Sequence, residues 1–151
     1  MNLAYRPCTE EDEGFLYDLH RATMREYVEE TWEVWDEEWQ RVYFHERFLP
    51  AELQVVQLLG RDVGVMSVEW RTEELFLCIL QILPAFQREG IGSAVVRALI
   101  DQARVQGKAV ALKVLKANRG ARSLYQRLGF GVTGETGTHY VMAWEEPRPL
   151  I

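Results

Sequence analysis

The sequence predicts an α/β or α+β fold, in which helices pack on a mixed sheet. Three observations predict it. Apolar runs of strand length recur along the chain, segments with the period of an amphipathic helix lie among them, and glycine or proline closes most of these segments. Since 151 residues can bury a sizeable core, we expect a single domain over residues 1–151.

The first third of the chain predicts one strand and two helices. "LAYRP" alternates and ends at Pro7, and Thr9 followed by acids is typical of a helix start. Phe15, Leu16, Leu19, Thr23 and Tyr27 then recur at helical spacing. A second helix is predicted over about residues 36–48, before Pro50. One face of this second segment carries four large side chains, Trp35, Trp39, Val42 and Tyr43.

The rest of the chain predicts six further strands and two helices. "LQVVQLLG" and "DVGVMSVEW" are strands around a turn at Gly60–Asp62, and "LFLCILQIL" is a strand of the kind buried on both faces. Residues 91–106 have a helical period that ends at Gly107. "AVALKVL" is a buried strand, Asn118 caps a helix that Gly129 stops, and "GVTGET" and "THYVMAW" are the last strands.

Composition excludes several classes of protein. No apolar run approaches the ~20 residues of a membrane span, and the N-terminus has no apolar core of a signal peptide. The distant Cys8 and Cys78 predict two reduced thiols, no metal site and a cytoplasmic protein. The basic residues are interleaved with apolar ones, which disfavours nucleic acid as a partner. His20, His45 and His139 belong to no motif and are interpreted as surface or packing residues.

Charge is unevenly distributed along the chain. The net charge is −6, yet residues 1–59 hold 5 basic against 14 acidic residues, and residues 75–151 hold 10 against 5. An acidic and a basic half suggest ligands of two kinds. For the acidic half, a purely solvated surface is an equally good interpretation.

The stretch "PAFQREGIGSAVV" predicts an anion site. A strand leads into a glycine loop that opens a helix, and the first helical N–H groups have no partner within the helix. A phosphate can approach the backbone closely at Gly90 and Gly92. A Walker loop is disfavoured because no lysine follows the second glycine. A dinucleotide fingerprint is disfavoured because Val95 replaces a small residue and the next strand ends at Lys116.

Two motifs resemble the GNAT superfamily of acetyl-CoA-dependent N-acetyltransferases. "ILQILPAFQREGIGSAVVRALI" is similar to the family's pyrophosphate motif, with Gln87, Gly90 and Gly92 in place. "LKVLKANRGARSLYQRLGF" resembles its next motif, with Asn118, Ala121, Tyr125, Gly129 and Phe130. The resemblance extends from residue 3 to about 145, only in outline over the first 50 residues. It implies a mostly antiparallel central sheet flanked by helices, with a splayed strand pair that forms the coenzyme A cleft.

The resemblance also implies the residues that bind acetyl-CoA. Backbone groups of Ile82 and Leu83 would pair with the pantetheine arm as an added strand would. Asn118 would contact the same arm as well as cap its helix. Arg122, like Arg119, would meet a phosphate of coenzyme A, and a solvated helix face is the simpler alternative for each. The pyrophosphate would lie in the loop and at the start of the helix, a segment made of Gln87, Arg88, Glu89, Gly90, Ile91, Gly92 and Ser93.

By the same resemblance, Tyr125 is the general acid that donates a proton or a hydrogen bond to the leaving sulfur. The attacking amine must lose a proton, and a carboxylate or a water held by one is the family's usual base. Glu74 and Glu69, at strand ends, are the first candidates, although each is also a reasonable solvated acid.

The implied reaction is acetyl transfer from acetyl-CoA to a primary amine of a small molecule or peptide, by direct attack in a ternary complex. The segment "YVEETWEVWDEEWQRVYF" predicts a preference for a cationic amine, since it is rich in acids and tryptophans. A packed aromatic face with solvated acids is the simpler alternative. A non-catalytic coenzyme A-binding or partner-binding module on the same fold stays open, as does a homodimer.

Overall fold

The computed structural model describes residues 1–147. Its strands and helices follow the predicted order, with short 3-10 turns at Glu10–Asp12, Pro50–Glu52 and Pro84–Phe86. None of the helices within these residues is long and apolar enough to cross a membrane. The elements are β1 (Leu3–Pro7), α1 (Glu13–Trp32), α2 (Glu37–Arg47), β2 (Gln54–Leu58), β3 (Arg61–Trp70), β4 (Glu74–Ile82), α3 (Ile91–Val105), β5 (Ala109–Leu115), α4 (Arg119–Arg127), β6 (Gly131–Glu135) and β7 (His139–Trp144).

The strands form a seven-stranded sheet in the order β1-β2-β3-β4-β5-β7-β6. β1 with β2, β2 with β3, β5 with β7 and β6 with β7 are antiparallel, whereas β4 and β5 are parallel. The β4–β5 register pairs residues 74–77 with 109–112, and no later pairs occur although β4 continues to Ile82. The predicted fold class, a mixed and mostly antiparallel sheet with flanking helices, is confirmed.

The chain divides into two compact units. The first consists of residues 1–67 and 79–92. Its core is formed by side chains of β1–α1, β2 and β3, with partly buried residues of α1, α2 and the β4 end packed against them. The buried members are Cys8, Leu16, Leu19, Val55 and Val65, and the partly buried ones are Phe15, Phe44, Phe48, Leu53 and Leu83.

The second unit consists of residues 68–78 and of the chain from residue 93 onward. The apolar stripe of α3 is buried as its period predicts, with Val95, Val96 and Ala103 at 0% exposure. Buried residues of β5 and β7, among them Leu112 and Met142, complete this core. In α4, Tyr125 packs against Phe130, with ring centroids 5.6 Å apart.

The structure corrects three expectations. The helix predicted after Thr9 begins as a 3-10 turn, and α1 itself starts at Glu13. The β2–β3 turn consists of Leu59 and Gly60, both with positive φ, because Leu58 already pairs with Arg61. The strand expected to be buried on both faces is open at its centre, where Cys78 and Ile79 are exposed.

The structure does not support the alternative of a packed aromatic face on α2. Trp39, Val42 and Tyr43 are 56%, 52% and 42% exposed, whereas Trp35, which precedes the helix, is buried. Phe44 and Phe48 pack against the core instead. The period alone could not decide between these two faces, because both carry aromatic residues.

Arg6 fastens β1 to two other segments of the first unit. Its guanidinium bonds both carboxylate oxygens of Asp12, at 2.9 and 2.8 Å, and Asp62 Oδ2 at 2.8 Å. The Arg6 side chain holds the pKa of Asp12 down to about 2, and it also lowers the pKa of Asp62. Two carboxylates that would otherwise repel each other are thereby held close together.

We expect Arg6→Met to lower the free energy of unfolding by about 1–3 kcal/mol, because it leaves two half-buried carboxylates without their cation. Urea denaturation at pH 7 measures the change. Arg97→Met, at an exposed position of α3, is the matched control and should change stability by less than about 0.5 kcal/mol.

The same network predicts a pH dependence. The folded pKa of Asp12 lies below its unfolded value, so its contribution to stability is present above about pH 4. It is lost as the pH falls toward about 2. The stability difference between wild type and Asp12→Asn should therefore shrink over this range, and an unchanged difference would contradict the network.

Candidate functional site

The backbone of β4 is fixed by its close approach to β3. The N–H of Leu83 donates to the carbonyl of Val63 at 2.8 Å. A Cβ added to Gly64 would lie 2.5 Å from the carbonyl oxygen of Gln81, so only glycine fits there. Because the direction of backbone groups alternates along a strand, the N–H and C=O of Leu80 and Ile82 point away from β3.

Leu83 itself is already engaged. Its N–H is bonded to Val63, and its carbonyl accepts from the N–H of Phe86 at 2.8 Å. The outward edge of β4 therefore belongs to Leu80 and Ile82 rather than to Leu83. This edge follows the exposed residues Cys78 and Ile79.

The glycine loop is a tight turn tied back to β4. Pro84–Phe86 form a 3-10 turn, after which Arg88 and Gly90 have φ of +66° and +86°. The side-chain amide of Gln87 donates to the carbonyl of Ile82 at 2.9 Å. Gln87 thus holds the loop against the strand end, a role its motif position did not reveal.

Helix α3 begins directly after this loop. Ile91 is buried and anchors the helix, Gly92 and Ser93 are half-buried, and Arg88 and Glu89 are exposed. The first N–H groups of a helix lack intrahelical partners and carry positive potential. The segment has the features that an anion site on backbone amides requires.

Asn118 and Arg122 lie on the first turns of α4. The Asn118 side-chain oxygen accepts from the N–H of Ala121 at 3.2 Å, so the predicted N-cap is present. The guanidinium of Arg122 lies 4.3 Å from the centre of the Tyr140 ring, and Lys116 Nζ lies 5.2 Å from it. The Nε of Arg122 is buried without a hydrogen-bond partner.

Tyr125 is 8% exposed, and burial raises the pKa of its hydroxyl to about 12. The phenol is consequently neutral over the whole physiological pH range and can act as a hydrogen-bond donor. A thiol has an ordinary pKa of ~8.5, so complete proton transfer from such a phenol to a thiolate is uphill.

The two acids considered as the base share one arginine. Arg71 contacts Glu69 at 3.3 Å and Glu74 at 3.1 Å, across the turn between β3 and β4. One oxygen of each carboxylate is thereby in contact with the Arg71 guanidinium. Both acids are also well exposed to solvent, with side-chain exposures of 59% and 35%.

Most of the acids of the α1–α2 region have partners. Glu37 binds Arg21 at 2.8 Å and the indole of Trp35 at 2.7 Å, and Glu29 pairs with Arg25. Glu33 and Glu38 are exposed and have no ion pair within residues 1–147. Trp39 and Tyr43 stack at 4.8 Å on the exposed side of α2.

His20, which belongs to no sequence motif, lies among aromatic side chains and next to β4 in the fold. It packs between Trp35 and Phe44, with ring centroids 5.7 Å from each. Its Nδ1 lies 3.1 Å from the side-chain amide of Gln81 on β4. The available signal was Gln81, the one polar residue in the run "LFLCILQIL". His45 is a surface residue paired with Glu13, and His139 contacts Thr138.

A cavity of about 510 Å³ in the second unit contains none of the predicted site residues. Its charged lining is largely paired, since Arg104 binds Glu146 at 2.6 Å and Lys108 donates to the carbonyl of Arg71. Within residues 1–147, no three His, Cys, Asp or Glu side chains come together as metal ligands would.

Comparison with known proteins identifies the family. The profile of the acetyltransferase (GNAT) family matches residues 15–130. The chain belongs to this family. The resemblance noted in the two sequence motifs is thereby confirmed, and the GNAT match also covers α1 and α2, which resembled the family only in outline.

Two curated GNAT relatives come from Mus musculus. N-acetyltransferase family 8 member 3 and member 7 are each 32% identical over 94 residues, which is 58% of this chain. The match covers 42% and 41% of those proteins, so the chain spans about two fifths of the curated relatives that it matches.

Solved structures share the GNAT fold at low identity. PaiA N-acetyltransferase from Thermoplasma acidophilum, in complex with coenzyme A, has a TM-score of 0.76 at 16% identity, covering 97% of this chain and all of that one. Arabidopsis thaliana Naa50 with the bisubstrate analogue CoA-Ac-MVNAL has 0.65 at 15%, with the same coverage. Ribosomal-protein-S18-alanine N-acetyltransferase from Escherichia coli has 0.63 at 21%, covering 94% and 92%.

Proposed function

We propose that this protein transfers the acetyl group of acetyl-CoA to a primary amine by direct attack in a ternary complex. The observation that carries the proposal is the outward backbone edge of β4, which continues into the Gln87-tied glycine loop and the start of α3. Family membership supports the same reaction. Residues 1–151 would act as one acetyltransferase domain, in the cytoplasm.

The pantetheine arm would pair with the outward edge of β4. Ile82 keeps this predicted role through its N–H, because its carbonyl is occupied by Gln87. Leu80 replaces Leu83 as the second partner, since the N–H and C=O of Leu83 are engaged. Edge pairing of this kind supplies affinity through main-chain hydrogen bonds.

The pyrophosphate would bind backbone amides from Arg88 to Ser93, with Gln87 keeping the loop closed. Asn118 would offer its amide nitrogen to the pantetheine arm, because its oxygen is used by the cap. The buried, unpartnered Nε of Arg122 supports a role for this side chain toward a phosphate.

Tyr125 would stabilise the leaving sulfur by a hydrogen bond. The developing thiolate is a weaker base than the tyrosinate, so a neutral phenol with a pKa of about 12 acts as a donor and keeps its proton. The acids Glu74 and Glu69 stay predictions as the base, and both would have to act despite their pairing with Arg71.

The main alternative is a coenzyme A-binding or partner-binding module without catalysis. The tyrosine in the motif position, Tyr125, favours the enzyme. The two are distinguished by thiol release from acetyl-CoA with a panel of amines, with product masses as the second readout. The panel includes polyamines, amino acids and peptides, since one structural neighbour was solved with a peptide-containing analogue.

Binding of acetyl-CoA without any acetyl transfer would favour the non-catalytic module. Sedimentation would test the homodimer.

The loop assignment predicts that Gly92→Val weakens acetyl-CoA binding by at least about tenfold, because a branched side chain would stand where the phosphates approach the backbone. Isothermal calorimetry measures the affinity. Gly137→Val, at an exposed turn with open space around it, is the control. Wild-type affinity in the Gly92 variant would contradict the assignment, as would binding of ATP or NAD in place of acetyl-CoA.

The role of Tyr125 predicts that Tyr125→Phe lowers kcat by about 10- to 100-fold with a smaller change in KM. A hydrogen bond to a charged group contributes ~1.5–3 kcal/mol, and here it forms mainly in the transition state. Steady-state kinetics with the best amine test this. Tyr140→Phe keeps a ring in the Arg122 contact and is the matched control. An unchanged rate, with chemistry shown to be rate-limiting, would make Tyr125 structural.

The acidic first half predicts a preference for cationic amines. We expect kcat/KM for the best amine to fall with added salt, and to fall less in a Glu33→Gln, Glu38→Gln variant, because these exposed acids lack ion pairs. A Glu10→Gln, Glu11→Gln variant carries the same charge change elsewhere and should keep the wild-type salt slope. Equal slopes in all three proteins, or a preference for neutral acceptors, would show that the acids are only solvated.

A further inference from the structure

His20 and Gln81 form an uncharged polar pair on one face of β4. His20 projects from α1, and its Nδ1 lies 3.1 Å from the amide nitrogen Nε2 of Gln81. Trp35 and Phe44 flank the ring, so its orientation is fixed by packing. The imidazole is half-buried, and it therefore remains partly accessible.

This pair stands beside the part of β4 whose backbone faces outward. Gln81 lies between Leu80 and Ile82, which carry the outward N–H groups. Ile79 shares the face of Gln81, because side chains two residues apart point the same way, and it is 37% exposed. The strand surface next to the pair is thus uncovered, and an acceptor could reach the strand edge there.

We propose that His20 is the general base of acetyl transfer, with Gln81 as its positioning residue. The inference rests on the proposed function and deepens it. The neutral amine attacks the thioester carbonyl and forms the N–C bond, and its nitrogen then gives a proton to Nε2 of His20. The C–S bond breaks with its electron pair on sulfur, which takes a proton from water, and His20 returns its proton to water.

The orientation of the amide determines whether Nε2 can accept that proton. The amide nitrogen Nε2 of Gln81 is the atom placed toward Nδ1, and a half-turn about the last bond of the side chain brings the amide oxygen there instead. With the nitrogen toward Nδ1, neutral His20 would carry its proton on Nε2, so the proposal requires the oxygen-facing arrangement. Once His20 is protonated, both ring nitrogens carry hydrogen, and only the amide oxygen can then accept from Nδ1. With the amide oxygen toward Nδ1, the Nδ1–H donates to it whether His20 is neutral or protonated. Neutral His20 then has its lone pair on Nε2.

The surroundings keep His20 uncharged before the reaction. From β4 it meets Gln81, from the α1–α2 connection Trp35, and from α2 Phe44, none of which is charged. The next charged group along the Trp35 contact is Glu37, which binds the Trp35 indole and is paired with Arg21 and Arg41; Arg21 follows His20 on α1. Burial lowers the pKa of His20, so the imidazole is a neutral acceptor at pH 7.

The first test needs no acceptor. Imidazole nitrogen NMR of the full chain, titrated from pH 4.5 to 8.5, should show His20 with its proton on Nδ1 and a pKa below that of free histidine. Adding acetyl-CoA should shift the Nε2 resonance of His20, whereas that of exposed His45 should stay unchanged. A proton on Nε2 in the neutral form, or no response to saturating acetyl-CoA, would overturn the proposal.

The second test is kinetic. Two groups must be deprotonated, the amine and His20. The acceptor is a dipeptide amide or the best amine of the panel. A plot of log(kcat/KM) against pH should therefore have a slope of one above the pKa of His20 and a slope of two below it. His20→Gln should lose this steepening and about 100-fold or more of kcat/KM at pH 7.5. Gln81→Glu should keep the base and move the steepening to higher pH, because a carboxylate favours imidazolium. His45→Gln is the control and should match wild type.

The outcomes separate the two proposals. If wild type binds acetyl-CoA and transfers nothing, the enzymatic function fails, and the NMR arm still decides the tautomer and the response of His20. If wild type is active and His20→Gln keeps both rate and steepening, the function stands and His20 is not the base. If the pH dependence of kcat/KM is the same in Gln81→Glu as in wild type, Gln81 does not position His20.

Discussion

The close approach of β3 to β4 at Gly64 is the constraint on which the candidate site depends. With no side chain at this position, the two backbones come so near that a Cβ would lie 2.5 Å from the Gln81 carbonyl. This contact, together with the bond from Leu83 to Val63, fixes which backbone groups of β4 are used within the sheet. The N–H and C=O groups of Leu80 and Ile82 are left facing outward, and the position of Leu83, where the glycine loop begins, is fixed. A side chain at residue 64 would displace that edge and the Gln87 contact together.

The sequence predicted the order of elements well, because the signals were local. Periodicity located α3 and its buried stripe, and proline and glycine located the ends of most segments. Burial was harder to predict where an element has two apolar faces. Trp39 and Tyr43 lie on the face that the sequence suggested for α2, yet Phe44 and, just after the helix, Phe48 pack inward, a choice set by the neighbouring core and not by the helix itself. Exposure of Cys78 and Ile79 depends on where strand pairing ends, which no local pattern encodes.

The site was predictable to the extent that it is made of backbone. The glycine loop, the Asn118 cap and the motif tyrosine follow from residue types at fixed spacing. Side chains that act through long-range contacts were missed. His20 and Gln81 are 61 residues apart and become a pair only in the fold. The strand-end acids Glu69 and Glu74, predicted as the base, both pair with Arg71, and this pairing requires the folded turn.

The unpartnered Nε of Arg122 has a thermodynamic consequence. A buried donor without an acceptor costs ~1–3 kcal/mol, so the ligand-free fold contains a local penalty on α4. If a phosphate supplies an acceptor there, as proposed, it removes this penalty, and the relief is part of the binding free energy that stabilises the complex against unfolding. Under that proposal, the stability of the free protein and its affinity for an anion are opposed at this one side chain. A substitution at Arg122 that removes the unpaired donor would be expected to raise the free energy of unfolding and to weaken anion binding.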